Sequence, residues 1–95
     1  MKKRARIDIY ADILDVLKRR TEGTLITRIS YGAGLPLDRV KLLLTTLAGY
    51  GLVSVRNAGE SRYYHITHRG LEFLEAYRKV QSFMTFLDPE DSHNM

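Results

Sequence analysis

The stretch Gly32-Ala33-Gly34-Leu35-Pro36 decides how the chain is organised. Two glycines and a proline within five residues end one helix and start another at a sharp angle. Pro36 fits the first turn of the later helix, where an N–H has no helical partner, and Asp38 suits the positive end of that helix dipole. Upstream, Ile26, Ile29 and Ala33 recur at helical spacing, with Thr24 or Thr27 as the N-cap of a short helix. Downstream, Val40, Leu43, Leu44 and Leu47 form an i, i+3, i+4, i+7 stripe that runs to about Tyr50, with Gly51 as the C-cap.

Working outward, Ile9, Tyr10, Ile13, Leu14 and Leu17 give one apolar face to a first helix from about Ile7 to Arg20, closed by Lys18, Arg19 and Arg20. The break Thr21-Glu22-Gly23-Thr24 separates it from the second. After Gly51 the period changes. Leu52–Arg56 and Arg62–Ile66 are rich in β-branched and aromatic residues, and Asn57-Ala58-Gly59-Glu60 between them reads as the turn of a hairpin. Thr67 then caps a final helix to about Leu87, which Asp88-Pro89 stops. The fold class is α+β and mostly helical: three helices, a hairpin and a long helix. Residues 1–66 are expected to form one module, 67–88 a C-terminal helix belonging to the same unit, and 89–95 a flexible tail.

Composition narrows the functional classes. Ninety-five residues with 44% hydrophobic content suffice for one modest core, which burial in a dimer would reinforce. With no cysteine, neither a disulfide nor a thiolate metal site is available, and a reducing cytoplasm suits the chain. Asp8, Asp12 and Asp15 interrupt what a leader would keep apolar after Lys2, Lys3, Arg4 and Arg6. No run approaches the roughly 18–20 apolar residues that span a bilayer. The net charge of +4 hides an asymmetry: residues 1–70 hold thirteen Lys or Arg and six Asp or Glu, whereas 71–95 hold two and five. A basic body with an acidic C-terminal segment fits a polyanion-binding module followed by a segment with another task.

Helix, short helix, tight turn, helix, two-stranded hairpin is the order of a winged helix-turn-helix, whose third helix is shaped for a major groove and whose hairpin reaches the backbone beside it. With the leucine stripe facing the core, Asp38, Lys41, Leu42, Thr45, Thr46 and Gly49 point outward and Arg39 lies at one margin. Lys41 is placed for a phosphate or a guanine edge, and Thr45 or Leu42 for a thymine methyl. Arg28 on the second helix, Arg56 and Arg62 flanking the wing turn, and the arm of Lys2, Lys3, Arg4 and Arg6 complete a positive rim. Phosphate anchoring is then expected to supply most of the affinity, with limited base discrimination. Exposed Leu42 keeps a second reading open, a winged-helix module that docks proteins without binding DNA.

On the last helix, Phe73, Tyr77, Val80, Met84 and Leu87 alternate by four and three, the spacing of a coiled-coil seam, and Leu74, Phe83 and Phe86 widen it. Twenty residues make a rod of about 30 Å, too long for so small a body to cover, so these residues are expected to dimerise. The pattern leaves the direction of pairing open. Catalysis finds no foothold. His65 and His68 straddle a strand end and a helix start without a completing ligand, and no nucleophile motif, carboxylate pair or phosphate-cradling loop occurs. No cofactor, metal or enzymatic activity is expected.

The segment Thr27-Arg28-Ile29-Ser30-Tyr31-Gly32-Ala33-Gly34-Leu35 resembles the second-helix signature of archaeal ten-kilodalton winged-helix DNA-binding proteins of the Sulfolobus 10a type. Gly51–Asn57, Tyr63–Thr67, Gly70, Phe73 and Leu74 extend the likeness over roughly residues 7–87. The resemblance implies a homodimer joined by an antiparallel coiled coil of the last helices, with a winged head at each end. It also implies binding of double-stranded DNA as a nucleoid-associated chromatin protein or a transcriptional regulator. The chain departs from that pattern in a less charged third helix and arm, and in a last helix that stops early at Asp88-Pro89, which favours a compact helix pair.

Overall fold

The computed structural model describes residues 4–87. In chain order the elements are α1 (Arg6–Lys18), α2 (Ile26–Ala33), α3 (Leu37–Gly49), β1 (Val53–Ala58), β2 (Ser61–Ile66) and α4 (His68–Leu87), the winged-helix order. Lys2, Lys3, Asp88-Pro89 and the expected tail lie outside the described residues.

One cluster of apolar side chains holds the elements together. Ile13, Leu14 and Leu17 of α1, Ile29 of α2, and Val40, Leu44 and Leu47 of α3 are buried, with Leu52, Val53, Tyr64 and Leu74 closing the sheet and α4 sides. The helical stripes therefore do what their spacing implies: three short helices that would be marginal alone share one apolar centre. Gly34 ends α2 in the left-handed region at φ 67°, and Pro36 sits at the N-cap of α3, one position before the first turn.

Two boundaries differ from the sequence reading, each for a local reason. Neither Thr24 nor Thr27 caps α2. Leu25 holds that position with no side-chain bond. Thr24 instead pairs with Tyr64 through two backbone bonds of 3.0 and 2.9 Å, adding a one-residue third strand to the wing sheet. The hairpin is also tighter than a four-residue turn. Pairing continues to Ala58 opposite Ser61, leaving Gly59-Glu60 as the loop. Gly59 at φ 63° supplies the left-handed first position that a two-residue turn of this kind requires.

α4 is fastened at its first half. Thr67 caps it, its hydroxyl oxygen accepting from the Gly70 N–H at 3.0 Å and its O–H donating to the Gly51 carbonyl at 2.6 Å. Gly70 lies so close to the Leu52 carbonyl that a Cβ there would collide with it, and would meet Ile66 Cγ1 at 2.7 Å. Leu74 is buried, and Phe73 and Tyr77 pack half-buried against the core. Beyond them a polar seam joins α4 to α1: the Tyr77 hydroxyl donates to Asp8, and Arg78 pairs with Asp15, which also holds Arg19 at 3.0 Å. Burial, the hydrogen bond to Asp8 and the negative charges of Asp8 and Asp12 hold the Tyr77 phenol well above its usual range. After Arg78 the helix leaves the body of the domain. Val80, Phe83, Met84, Phe86 and Leu87 are all exposed, Phe86 to 83%.

Candidate nucleic-acid interface

The outer face of α3 is open. Asp38, Lys41, Leu42, Thr45 and Gly49 are exposed, Leu42 to 72%, and Thr46 is half-buried. The hydroxyls of Thr45 and Thr46 each donate to the carbonyl four residues back, Lys41 and Leu42, at 3.1 Å. Their donors are thus spent on the helix, which leaves Thr45 its methyl and an accepting oxygen for a base edge. Lys41 is the one cation at the centre of this face.

Arg39 is exposed at one edge of α3. It lines a cleft of about 310 Å3 between the start of α1 and α3, together with Arg4 and Arg6, over a floor that includes Ile9, Tyr10 and Leu43. Tyr10 is fixed there by an edge-on contact with Tyr50, ring centroids 6.3 Å apart. Arg4 is bound back onto the domain, pairing with Asp12 at 2.7 Å and donating to the Ala33 carbonyl at 3.2 Å. Arg6 is the first residue of α1 and not part of a free arm. Lys3 lies outside the described residues. Three of the candidate cations therefore line one cleft, a grouping that sequence spacing does not reveal because only the fold sets the start of α1 beside α3.

The wing arginines are separated. Arg56 stands opposite Tyr63 and Arg62 opposite Asn57. Opposed residues share a face and neighbours alternate, so the two guanidinia project from opposite faces of the ribbon. Arg62 Nε donates to Asn57 Oδ1 at 3.4 Å. Arg28 is exposed on α2, one turn before Tyr31, itself 93% exposed and without a role in the sequence reading. Of the residues expected to dimerise, Phe73 and Tyr77 serve their own core, and Val80, Met84 and Leu87 project from it.

The model of the winged helix-turn-helix family matches residues 3–85. The chain belongs to that family. Among solved structures, this winged helix-turn-helix protein is similar to Sso10a-2, a DNA-binding protein from Sulfolobus solfataricus, at 25% identity, covering 97% of each chain with a TM-score of 0.71. The resemblance carried by Thr27–Leu35 thus holds across the whole fold. MepR of Staphylococcus aureus in its DNA complex is similar at 16% identity, over 90% of this chain and 73% of that one, with a TM-score of 0.71. Human N-acetylserotonin methyltransferase is similar at 18% identity over 63% of this chain and 17% of that one, with a TM-score of 0.57. These last two likenesses establish the fold alone. No curated protein sequence matches the chain. Among the described residues, no helix is long and apolar enough to cross a membrane.

Proposed function

We propose that the chain binds double-stranded DNA as a homodimer without catalysing a reaction, acting in the cytoplasm as a nucleoid-associated chromatin protein or transcriptional regulator. α3 enters the major groove, and the wing and the start of the chain meet the backbone. The observation that carries this reading is the open outer face of α3, with Lys41, Leu42 and Thr45 exposed while Val40, Leu44 and Leu47 anchor the helix in the core. The DNA-binding relative that covers 97% of the chain supports it. Contacts come from Lys41 and Thr45 on α3, from Arg4, Arg6 and Arg39 at the cleft, from Arg28, from Arg56 or Arg62, and from Lys3 outside the described residues.

The dimer forms through the projecting end of α4. Val80, Met84 and Leu87, with Phe83 and Phe86, offer an apolar surface that their own domain does not cover. A titration of random and genomic duplexes across a salt series tests the reading. Binding is expected to weaken steeply with salt on both, because neutralised phosphates release counterions. Affinity constant from low to high salt overturns it. Exposure of Leu42 to 72% favours a second reading, a protein-docking module. Absence of any duplex shift at low salt would select that reading.

A further inference from the structure

The cleft between α1 and α3 combines features that a general backbone-binding rim does not need. Arg4, Arg6 and Arg39 line it, and no carboxylate does. Asp12 balances Arg4, whereas Arg6 and Arg39 have no ion-pair partner among the described residues. Two arginines without a counter-charge that line one cleft repel each other, and an anion held there removes that repulsion. The planar fork of each guanidinium matches phosphate oxygens. The remaining wall is Ile9, Tyr10, Leu42, Leu43 and Thr46, whose hydroxyl is turned back onto the Leu42 carbonyl. The volume of about 310 Å3 lies at the lower end of the roughly 300–1,000 Å3 typical of small-ligand sites. The frame is set in advance, since Arg4 is held by Asp12 and Ala33, and Tyr10 by Tyr50.

We propose that this cleft is a binding site for a nucleoside monophosphate. Arg6 and Arg39 hold the phosphate, Arg4 supports it from a fixed position, and Ile9, Leu42 and Leu43 cover one face of the sugar or base. A duplex backbone presents the same chemistry as a phosphate with its deoxyribose. Free nucleotide and duplex therefore compete for the face of α3 that carries Leu42 and Thr46. That competition rests on the DNA-binding reading, and the site itself does not.

The test uses the full chain with three probes: deoxyadenosine monophosphate, inorganic phosphate and deoxyadenosine. Binding is followed by calorimetry and by amide chemical shifts, with displacement of a labelled duplex as a separate measurement. The monophosphate is expected to bind saturably and to shift amides in residues 4–10 and 39–46. Phosphate should bind more weakly and the nucleoside should not bind. Arg39→Gln should weaken the monophosphate about tenfold, the scale of one lost charge-assisted bond. Leu42→Glu, which places a carboxylate on the wall, should abolish binding, and Lys79→Gln, the same charge change on α4, should leave it intact. Duplex binding without saturable monophosphate binding overturns the site and leaves the DNA reading standing. Monophosphate binding without duplex binding does the reverse. Equal losses in Arg39→Gln and Lys79→Gln, or phosphate binding as tight as the monophosphate, would also overturn the site, reducing it to diffuse charge attraction.

Discussion

The hydroxyl of Tyr77 on α4 donates a hydrogen bond to the carboxylate of Asp8 on α1, joining two residues 69 positions apart. Both sit on helices whose apolar faces already meet through the core, so the bond acts at the rim of that contact, where direction matters more than buried area. It gives the long helix a polar fastening just before it leaves the domain.

Burial of the Tyr77 phenol, together with its bond to Asp8 and the nearby carboxylates, makes stability sensitive to alkali. The folded Tyr77 phenol titrates above its unfolded value of about 10. Its contribution is therefore fully present below pH 10 and is lost as pH rises further, because the unfolded chain then gives up a proton that the folded chain keeps. Tyr77→Phe should lower Tm at pH 8 and flatten its fall between pH 9 and 11, measured by circular dichroism melts. Tyr31→Phe, at a 93% exposed position, is the control and should change neither.

Two glycine substitutions should act with opposite sign. Gly70→Ala forces a methyl against the Leu52 carbonyl and Ile66, moving α4 off the sheet, and should cost about 1–3 kcal/mol. Gly49→Ala has no atom within 4 Å of the added methyl and should gain about 0.5–1 kcal/mol in helix propensity. Urea unfolding of the two variants checks the pair, and a neutral Gly70→Ala would mean that the close approach relaxes without penalty.

On duplex DNA, Arg28→Ala and Lys41→Ala should each weaken binding to random and genomic sequences alike. Each should also lower the log–log salt slope by about one unit. A loss confined to some sequences after Lys41→Ala would instead mark base reading at that position.

The wing substitutions should be unequal. With Arg56 and Arg62 on opposite faces of the ribbon, a backbone lying against one face meets one guanidinium. Arg56→Ala and Arg62→Ala are expected to change the salt slope by different amounts, one by about a unit and the other little. Equal losses would place the ribbon edge-on in a groove.

Joint replacement of Val80 and Met84 by Glu should convert a dimer into a monomer, read by light scattering. These side chains are 58% and 42% exposed in the single chain, so its own fold should survive the change. A variant that remains dimeric would move the interface elsewhere.

The helix-turn-helix is legible in the sequence because Gly34 and Pro36 have few other uses at that spacing, and the leucine stripe of α3 assigns its inner face without ambiguity. The wing is legible as a hairpin, but the faces of its arginines are not. Register depends on loop length, and treating Asn57–Glu60 as the turn leaves open which residues oppose one another. The Thr24–Tyr64 rung is a single pair and leaves no periodicity to detect. Asp8, Asp12 and Asp15 lie one and two helical turns apart on α1. In sequence they read only as charges that interrupt an apolar stretch. In the structure Asp8 and Asp15 fasten Tyr77 and Arg78, far along the chain, and Asp12 holds Arg4. The cleft is illegible for the same reason, since only the folded chain sets Arg4 and Arg6 beside Arg39.

The fastening at Tyr77 and Arg78 turns the rest of α4 into a lever. Leu87 stands ten residues, about 15 Å, beyond Tyr77, so a tilt of about 10° at the pivot swings the tip by about 2.6 Å. Substitutions at Asp8 or Asp15 would re-aim the far end without touching an apolar contact, a way to retune the geometry of whatever that end carries while the three-helix body stays as it is.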